Sequence, residues 1–139
     1  MERVDAQERP IGWWLKHVDG LLEVAFDRSL EREGVGRQHW RMLNAVAGGA
    51  STAEEIDQAF TRLGVECVDT TAVLSQLLVR GWLFRRAGRV ELTPVGSTAR
   101  ERLMRALRAH RERLIAGIEP ESYRVTINTL RQMARNLST

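Results

Sequence analysis

The stretch STAEEIDQAFTRLGVECVDTTAVLSQLLVRGWLFRRAGRVELTPVG, residues 51–96, decides the architecture. It opens with two overlapping capping boxes, Ser51 with Glu54 and Thr52 with Glu55. In such a box the hydroxyl accepts a backbone N–H three residues on, and the acid reaches back to the cap. The helix that follows is expected to reach about Leu63, burying Ile56, Ala59 and Phe60, and Gly64 breaks it. Glu66 or Asp69 is positioned to cap a second helix. Its Val73, Leu74, Leu77 and Leu78 share one face, leaving Thr71, Ser75 and Gln76 on the other, and Gly81 closes it. Residues 83–86 and 89–93 then pair across a tight turn at Ala87-Gly88. Leu92-Thr93-Pro94-Val95-Gly96 leads into the next helix. The order is helix, turn, helix, two-stranded wing.

Long amphipathic helices flank this segment. Pro10 suits a first helical position, and Ile11, Trp14, Leu15, Val18, Leu21, Leu22, Ala25, Phe26 and Leu30 follow at helical spacing. Gly34 or Gly36 ends that helix. A shorter one over about 38–47 carries Trp40, Leu43 and Val46 and stops at Gly48-Gly49. Beyond Gly96, a helix capped by Ser97 or Thr98 is expected to carry Leu103, Leu107, His110, Leu114 and Ile118. Pro120 separates it from a last helix with Tyr123, Ile127, Leu130, Ala134 and Leu137, spaced four, three, four and three. That narrow seam is of the coiled-coil kind and suits packing on a second chain. Residues 1–9 are polar and unpatterned, as in a frayed tail.

At 139 residues the chain fits one domain, and folding should bury roughly 65–70% of its surface. No apolar run approaches the ~20 residues of a membrane span, and the N-terminus lacks the basic start and apolar core of a signal peptide. A cytoplasmic location is expected. The single cysteine, Cys67, excludes an intrachain disulfide and fits a reducing compartment. The formal charge is only +3, which argues against a generally basic, non-specific nucleic-acid binder. Arginine is nonetheless concentrated: residues 80–113 hold ten arginines against three acids. A local basic stripe suits phosphate contact, although a solvated helix face would read the same way.

With these residues in place, the chain resembles the MarR family of transcription regulators over roughly residues 10–137. Gln38-His39-Trp40-Arg41-Met42-Leu43 is similar to the family's second helix, and Ser51-Thr52-Ala53-Glu54-Glu55-Ile56 to the start of its helix-turn-helix. Leu63-Gly64-Val65, Leu77 and Arg80-Gly81-Trp82-Leu83 bracket a segment like its recognition helix. Leu92-Thr93-Pro94-Val95-Gly96 resembles the turn into its dimerisation helix. The expected fold is mainly α with a small two- or three-stranded wing: a winged helix-turn-helix lobe over 37–96, flanked by dimerisation helices at 10–34 and 97–137. The resemblance implies a homodimer with a recognition helix in the major groove and a wing at the minor groove. It also implies repression of a nearby promoter from a pseudo-palindromic operator, and a small aromatic or phenolic effector. Two segments depart from the family. The wing, Arg85-Arg86-Ala87-Gly88-Arg89, is short and lacks the usual Asp-x-Arg. The recognition helix carries Cys67, Val68, Asp69, Thr71 and Ala72 where basic and hydroxyl residues are common. A winged-helix interaction module without sequence-specific DNA binding is therefore the alternative.

On the regulator reading, Arg37, Ser51, Thr52, Arg80, Arg85 and Arg89 hold the DNA backbone, Arg86 or Arg89 serves as the wing arginine of the minor groove, and Thr71, Ser75 and Gln76 read base edges. Trp14, His17, Trp40 and Leu43, with Trp13 beside them, form the candidate effector pocket where the first two helices should meet the dimerisation helix. The three histidines, His17, His39 and His110, lack the spacing of a metal site, and no cofactor is expected. Cys67, near a helix N-terminus where thiol pKa falls, is a candidate redox switch, with a plain small residue as the commoner reading. No phosphate loop, zinc-protease pattern or nucleophile elbow is present, so an enzyme is not expected.

Overall fold

A computed structural model describes residues 8–65 and 68–138. Six helices and one hairpin follow in order: α1 (Ile11–Arg32), α2 (Arg37–Ala47), α3 (Ala53–Arg62), α4 (Thr70–Arg80), β1 (Leu83–Arg86), β2 (Arg89–Leu92), α5 (Pro94–Leu114) and α6 (Pro120–Leu137). Glu66 and Cys67, the expected alternative cap and redox residue, and most of the expected N-terminal tail lie outside the described residues.

The local signals account for most boundaries. Thr52 accepts the Glu55 N–H at 3.1 Å, while Glu55 takes the N–H groups of Ser51 and Thr52 at 2.9 and 3.2 Å. The second box expected, Ser51 with Glu54, does not form, because Glu55 serves both residues. Asp69 caps α4 through the Ala72 N–H at 3.1 Å. Gly81 ends α4 with φ +79, a left-handed conformation that costs a side-chain-bearing residue ~1–2 kcal/mol. Two expectations are corrected. Pro10 caps α1 rather than beginning it. Helix α5 starts at Pro94 and is capped by Thr93, whose hydroxyl accepts the Gly96 N–H at 2.9 Å, so Ser97 and Thr98 sit inside the helix. Proline at the first helical position is preorganised for that start.

The hairpin pairs Leu83 with Leu92 and Arg86 with Arg89, turning through Ala87 (φ 54) and Gly88 (φ 77). Both positive φ values mark a primed turn, whose twist matches that of the strands. The sheet is two-stranded, and a backbone bond from the Val90 N–H to the Ser51 carbonyl at 2.7 Å ties it to the start of α3.

One core joins these pieces. Leu30 of α1, Met42, Leu43 and Val46 of α2, Ile56 and Phe60 of α3, and Val73, Leu74 and Leu77 of α4 meet Trp82, Leu83, Val90, Ala99 and Leu103. Gly96 makes the closest approach: a Cβ there would run into the Trp82 carbonyl. That carbonyl also receives the Thr93 N–H at 3.0 Å, so the wing and the start of α5 are locked together. Helix α6, by contrast, buries none of its residues.

Candidate nucleic-acid interface

Helix α4 buries Val73, Leu74 and Leu77 and exposes Thr71, Ser75 and Gln76, as the 3.6-residue period dictates. The wing stands beside it with Arg85, Arg86 and Arg89 exposed. Ser51 and Thr52 lie where β2 meets the α3 N-terminus. The fold therefore gathers helix face, wing and helix N-terminus into one lobe, although their residues span positions 51–89.

Side-chain partners refine the expected roles. Arg37 forks onto Asp27 at 2.8 and 3.2 Å and reaches Glu23 at 3.4 Å; its pKa is raised, first by the bond to Asp27. Arg80 donates to the carbonyls of Glu33 at 2.5 Å and Gly34 at 3.3 Å, and lies over the Trp82 ring at 4.5 Å. It thereby satisfies carbonyls that the C-terminus of α1 would leave orphaned. Arg86 pairs with Glu91 at 3.1 Å, and Arg89 donates to the Ser51 hydroxyl at 2.8 Å. The Ser51 hydroxyl in turn donates to Glu55 at 3.2 Å. The Glu55 carboxyl is held below its ordinary value, foremost by the backbone N–H of Ser51.

The arginine stripe divides in two. Arg100 donates to Asn44 at 2.8 Å, and Arg102 grips Glu33 with two bonds of 2.9 Å, tying α5 to α2 and to the end of α1. The Arg102 bond is the main reason the Glu33 carboxyl titrates below its ordinary value. Arg105, Arg108 and Arg111 face solvent. In the first sixty residues acids outnumber basic side chains eleven to seven, so positive charge is concentrated on the later elements.

The expected effector residues fall into separate groups. Trp13 stacks on His17 with centroids 4.7 Å apart and meets Trp14 edge-on at 4.6 Å, near the exposed start of α1. Trp40 instead meets Phe26 edge-on at 6.1 Å. Phe26 is nine residues beyond His17, roughly 13 Å along the helix. Leu43 is fully buried. A cleft of about 250 Å³ opens between α1 and α5, lined by Val18, Leu21, Leu22, Ala25, His110, Arg113 and Leu114. His110 bonds the Ser29 hydroxyl at 2.9 Å beside it. Arg113 was not among the residues singled out in the sequence. Its place in the cleft follows from its position three residues after His110 on one helix face.

No family model matches the chain, and no curated protein matches it in sequence. Solved structures do match it in shape. A putative MarR family transcriptional regulator from Clostridium acetobutylicum superimposes with a TM-score of 0.76 at 18% identity, over 92% of this chain and 98% of that one. A MarR family transcriptional regulator from Silicibacter pomeroyi gives 0.67 at 22% identity, over 93% and 90%. A MarR family protein of Mycobacterium tuberculosis, in complex with DNA, gives 0.69 at 19% identity, over 95% and 100%.

Proposed function

Starting from the MarR-type winged-helix fold that these likenesses establish, we propose that the chain is a homodimeric transcription regulator. It binds a pseudo-palindromic operator, represses the adjacent promoter, and releases DNA when a small aromatic or phenolic molecule binds. The observation that carries this reading is the exposed Thr71–Ser75–Gln76 face of α4 beside an arginine-bearing wing. An exposed helix of this kind fits the ~12 Å major groove, and the wing can follow the backbone to the next groove. Half-sites are expected about one helical turn, ~10 bp, apart.

Arg37, Ser51, Thr52, Arg80, Arg85, Arg86 and Arg89 are assigned to phosphate contact. Most already have intrachain partners, which is the observation that favours the rival reading of an interaction module. The weakness of exposed pairs supports the regulator reading over the rival. The exposed Arg86–Glu91 pair is worth ~0–1 kcal/mol, so a phosphate can replace the carboxylate there, whereas the half-buried fork of Arg37 on Asp27 is the stronger hold. The Ser51–Arg89 bond needs no release, because it aims a cation from the wing across the α3 N-terminus, where anions are favoured.

Dimerisation is assigned to α1, α5 and α6. Ile11, Trp14, Leu15, Val18 and Leu21 on α1 and the Tyr123–Ile127–Leu130 seam on α6 lack full cover within the chain. The effector is assigned to the α1–α5 cleft, whose apolar walls end in His110 and Arg113 and suit an aromatic acid or phenol. Trp14 and His17 precede the cleft residue Val18 on α1 by four and one positions, and Trp40 and Leu43 lie in or against the core rather than in the cleft.

Fluorescence anisotropy on DNA from the chain's own promoter region tests the reading, with unrelated DNA as control. Tight, selective binding that weakens by ~10³–10⁵ between 50 and 200 mM salt is expected for 6–10 phosphate contacts. Arg86→Ala with Arg89→Ala should abolish it. Equal weak binding to both DNAs, unchanged by these substitutions, would overturn the proposal in favour of the interaction module.

A further inference from the structure

His39 stands at the third position of α2, and its ring bridges two elements. Its Nδ1 lies 3.0 Å from the backbone nitrogen of Gly36, the residue before the helix. Its Nε2 lies 2.6 Å from the Gln76 side chain on α4, thirty-seven residues away. A backbone N–H can only donate, so Nδ1 must accept and the neutral ring carries its proton on Nε2. The Nε2–H therefore donates to the carboxamide oxygen of Gln76. The orientation of that amide follows from tautomer logic, since the opposite orientation would set N–H against N–H.

From this chain of bonds we infer that His39 is a positioning residue for base recognition. It binds the carbonyl end of Gln76 and so turns the amide N–H₂ outward, away from α2. The inference rests on the DNA-binding reading of the α4 face. A carboxamide free to rotate can present either its donor or its acceptor edge, and it accommodates several bases. Held by its oxygen, it presents donors. Guanine shows only acceptors, N7 and O6, on its major-groove edge, and is the base that a fixed donor pair suits best. His39 contacts no base in this arrangement; it selects one through Gln76. Its anchor is a structural necessity put to a second use, because the α2 N-terminus leaves backbone N–H groups that need an acceptor.

Selection from a random duplex pool, read as base frequency at each position, tests this with the full-length chain. The unaltered protein is expected to select guanine at one position per half-site. Gln76→Ala and His39→Ala should each lower discrimination at that same position by about tenfold, the scale of one base contact, with other positions and the salt slope unchanged. His39→Gln should restore the preference. Its side-chain oxygen can accept the Gly36 N–H, as in a capping box, while its amide donates to Gln76. Circular dichroism confirms that each variant folds; if His39→Ala does not, the comparison of Gln76→Ala with His39→Gln still decides. Loss at different positions in the Gln76 and His39 variants, or full retention in His39→Ala, would overturn the assignment. If the unaltered chain selects no sequence at all, the DNA reading itself fails, an outcome distinct from selection that ignores His39.

Discussion

Two regions of this molecule carry the same kind of amphipathic pattern and meet opposite fates. Between Leu30 and Leu103, each helix of the winged lobe turns its apolar face onto at least two other elements, and all the buried hydrophobic residues described lie there. In α6 the seam of Tyr123, Ile127, Leu130, Ala134 and Leu137 contributes no buried residue, and Ile127 and Leu130 are only partly covered. The difference lies in the width of the stripe. Helix α2 has Met42 buried beside Leu43, so its apolar face is broad enough to touch α1, α3, α4 and β2. A strict four–three seam is too narrow for a globular core and suits one matching helix. Most helical stability in proteins comes from packing of an amphipathic face rather than from propensity, so the 18-residue α6 draws its order from contacts beyond its own chain on the proposed dimer reading.

The strongest way to break this contrast is to damage the lobe at its tightest point. Gly96→Ala should destabilise by about 3 kcal/mol or more, because the new methyl meets the Trp82 backbone, which cannot move without opening the wing. A fall in Tm of roughly 10 °C in a thermal melt is expected. An unchanged Tm would mean that the lobe is looser than its packing implies.

The reciprocal change belongs on α6. Ile127→Asp with Leu130→Asp should leave the near-ultraviolet signal of buried Trp82 intact while light scattering reports a single chain instead of two. The dependence of Tm on protein concentration should vanish with it. A double variant that still runs as a dimer would move the interface off this seam.

A smaller effect sharpens the join between the regions. The Glu33 carboxyl is held below its ordinary value near 4.5, chiefly by the Arg102 bond. A carboxylate with a depressed folded pKa contributes stability above its unfolded value and loses it as pH falls through the folded one. Glu33→Gln should therefore lower the urea midpoint at pH 7, with the deficit shrinking steadily below about pH 4.5. A deficit that persists unchanged into acid would assign the loss to packing rather than to charge.

Much of the lobe was legible because its signals are local. The Thr52–Glu55 box, the Asp69 cap, the Gly81 stop and the Ala87-Gly88 turn each depend on backbone groups within four residues. The α5 start was misplaced: Ser97 and Thr98 were expected to cap it, whereas Thr93 before Pro94 does so. The interface residues were only partly legible. Exposure of Thr71, Ser75 and Gln76 follows from helical period, but the partners of the arginines do not. Arg80 reaches residues 46 and 47 positions away and Arg102 reaches Glu33 across 69, separations that carry no periodic signal. The aromatic group failed to converge for a related reason: a helix is a rigid rod, and ~13 to 18 Å of rise separates His17 and Trp14 from the Phe26–Trp40 pair.

The sequence by itself determined the order of elements, several of their caps and turns, and which face of each helix is apolar, because these follow from steric and hydrogen-bonding rules acting within a turn or two. Tertiary structure decided the rest: that Gly96 must lack a side chain, that arginines of one stripe split between holding helices together and facing solvent, and that His39 meets Gln76. Those outcomes depend on where separate rods cross, and crossing points are fixed by packing of the whole core, which no local stretch encodes.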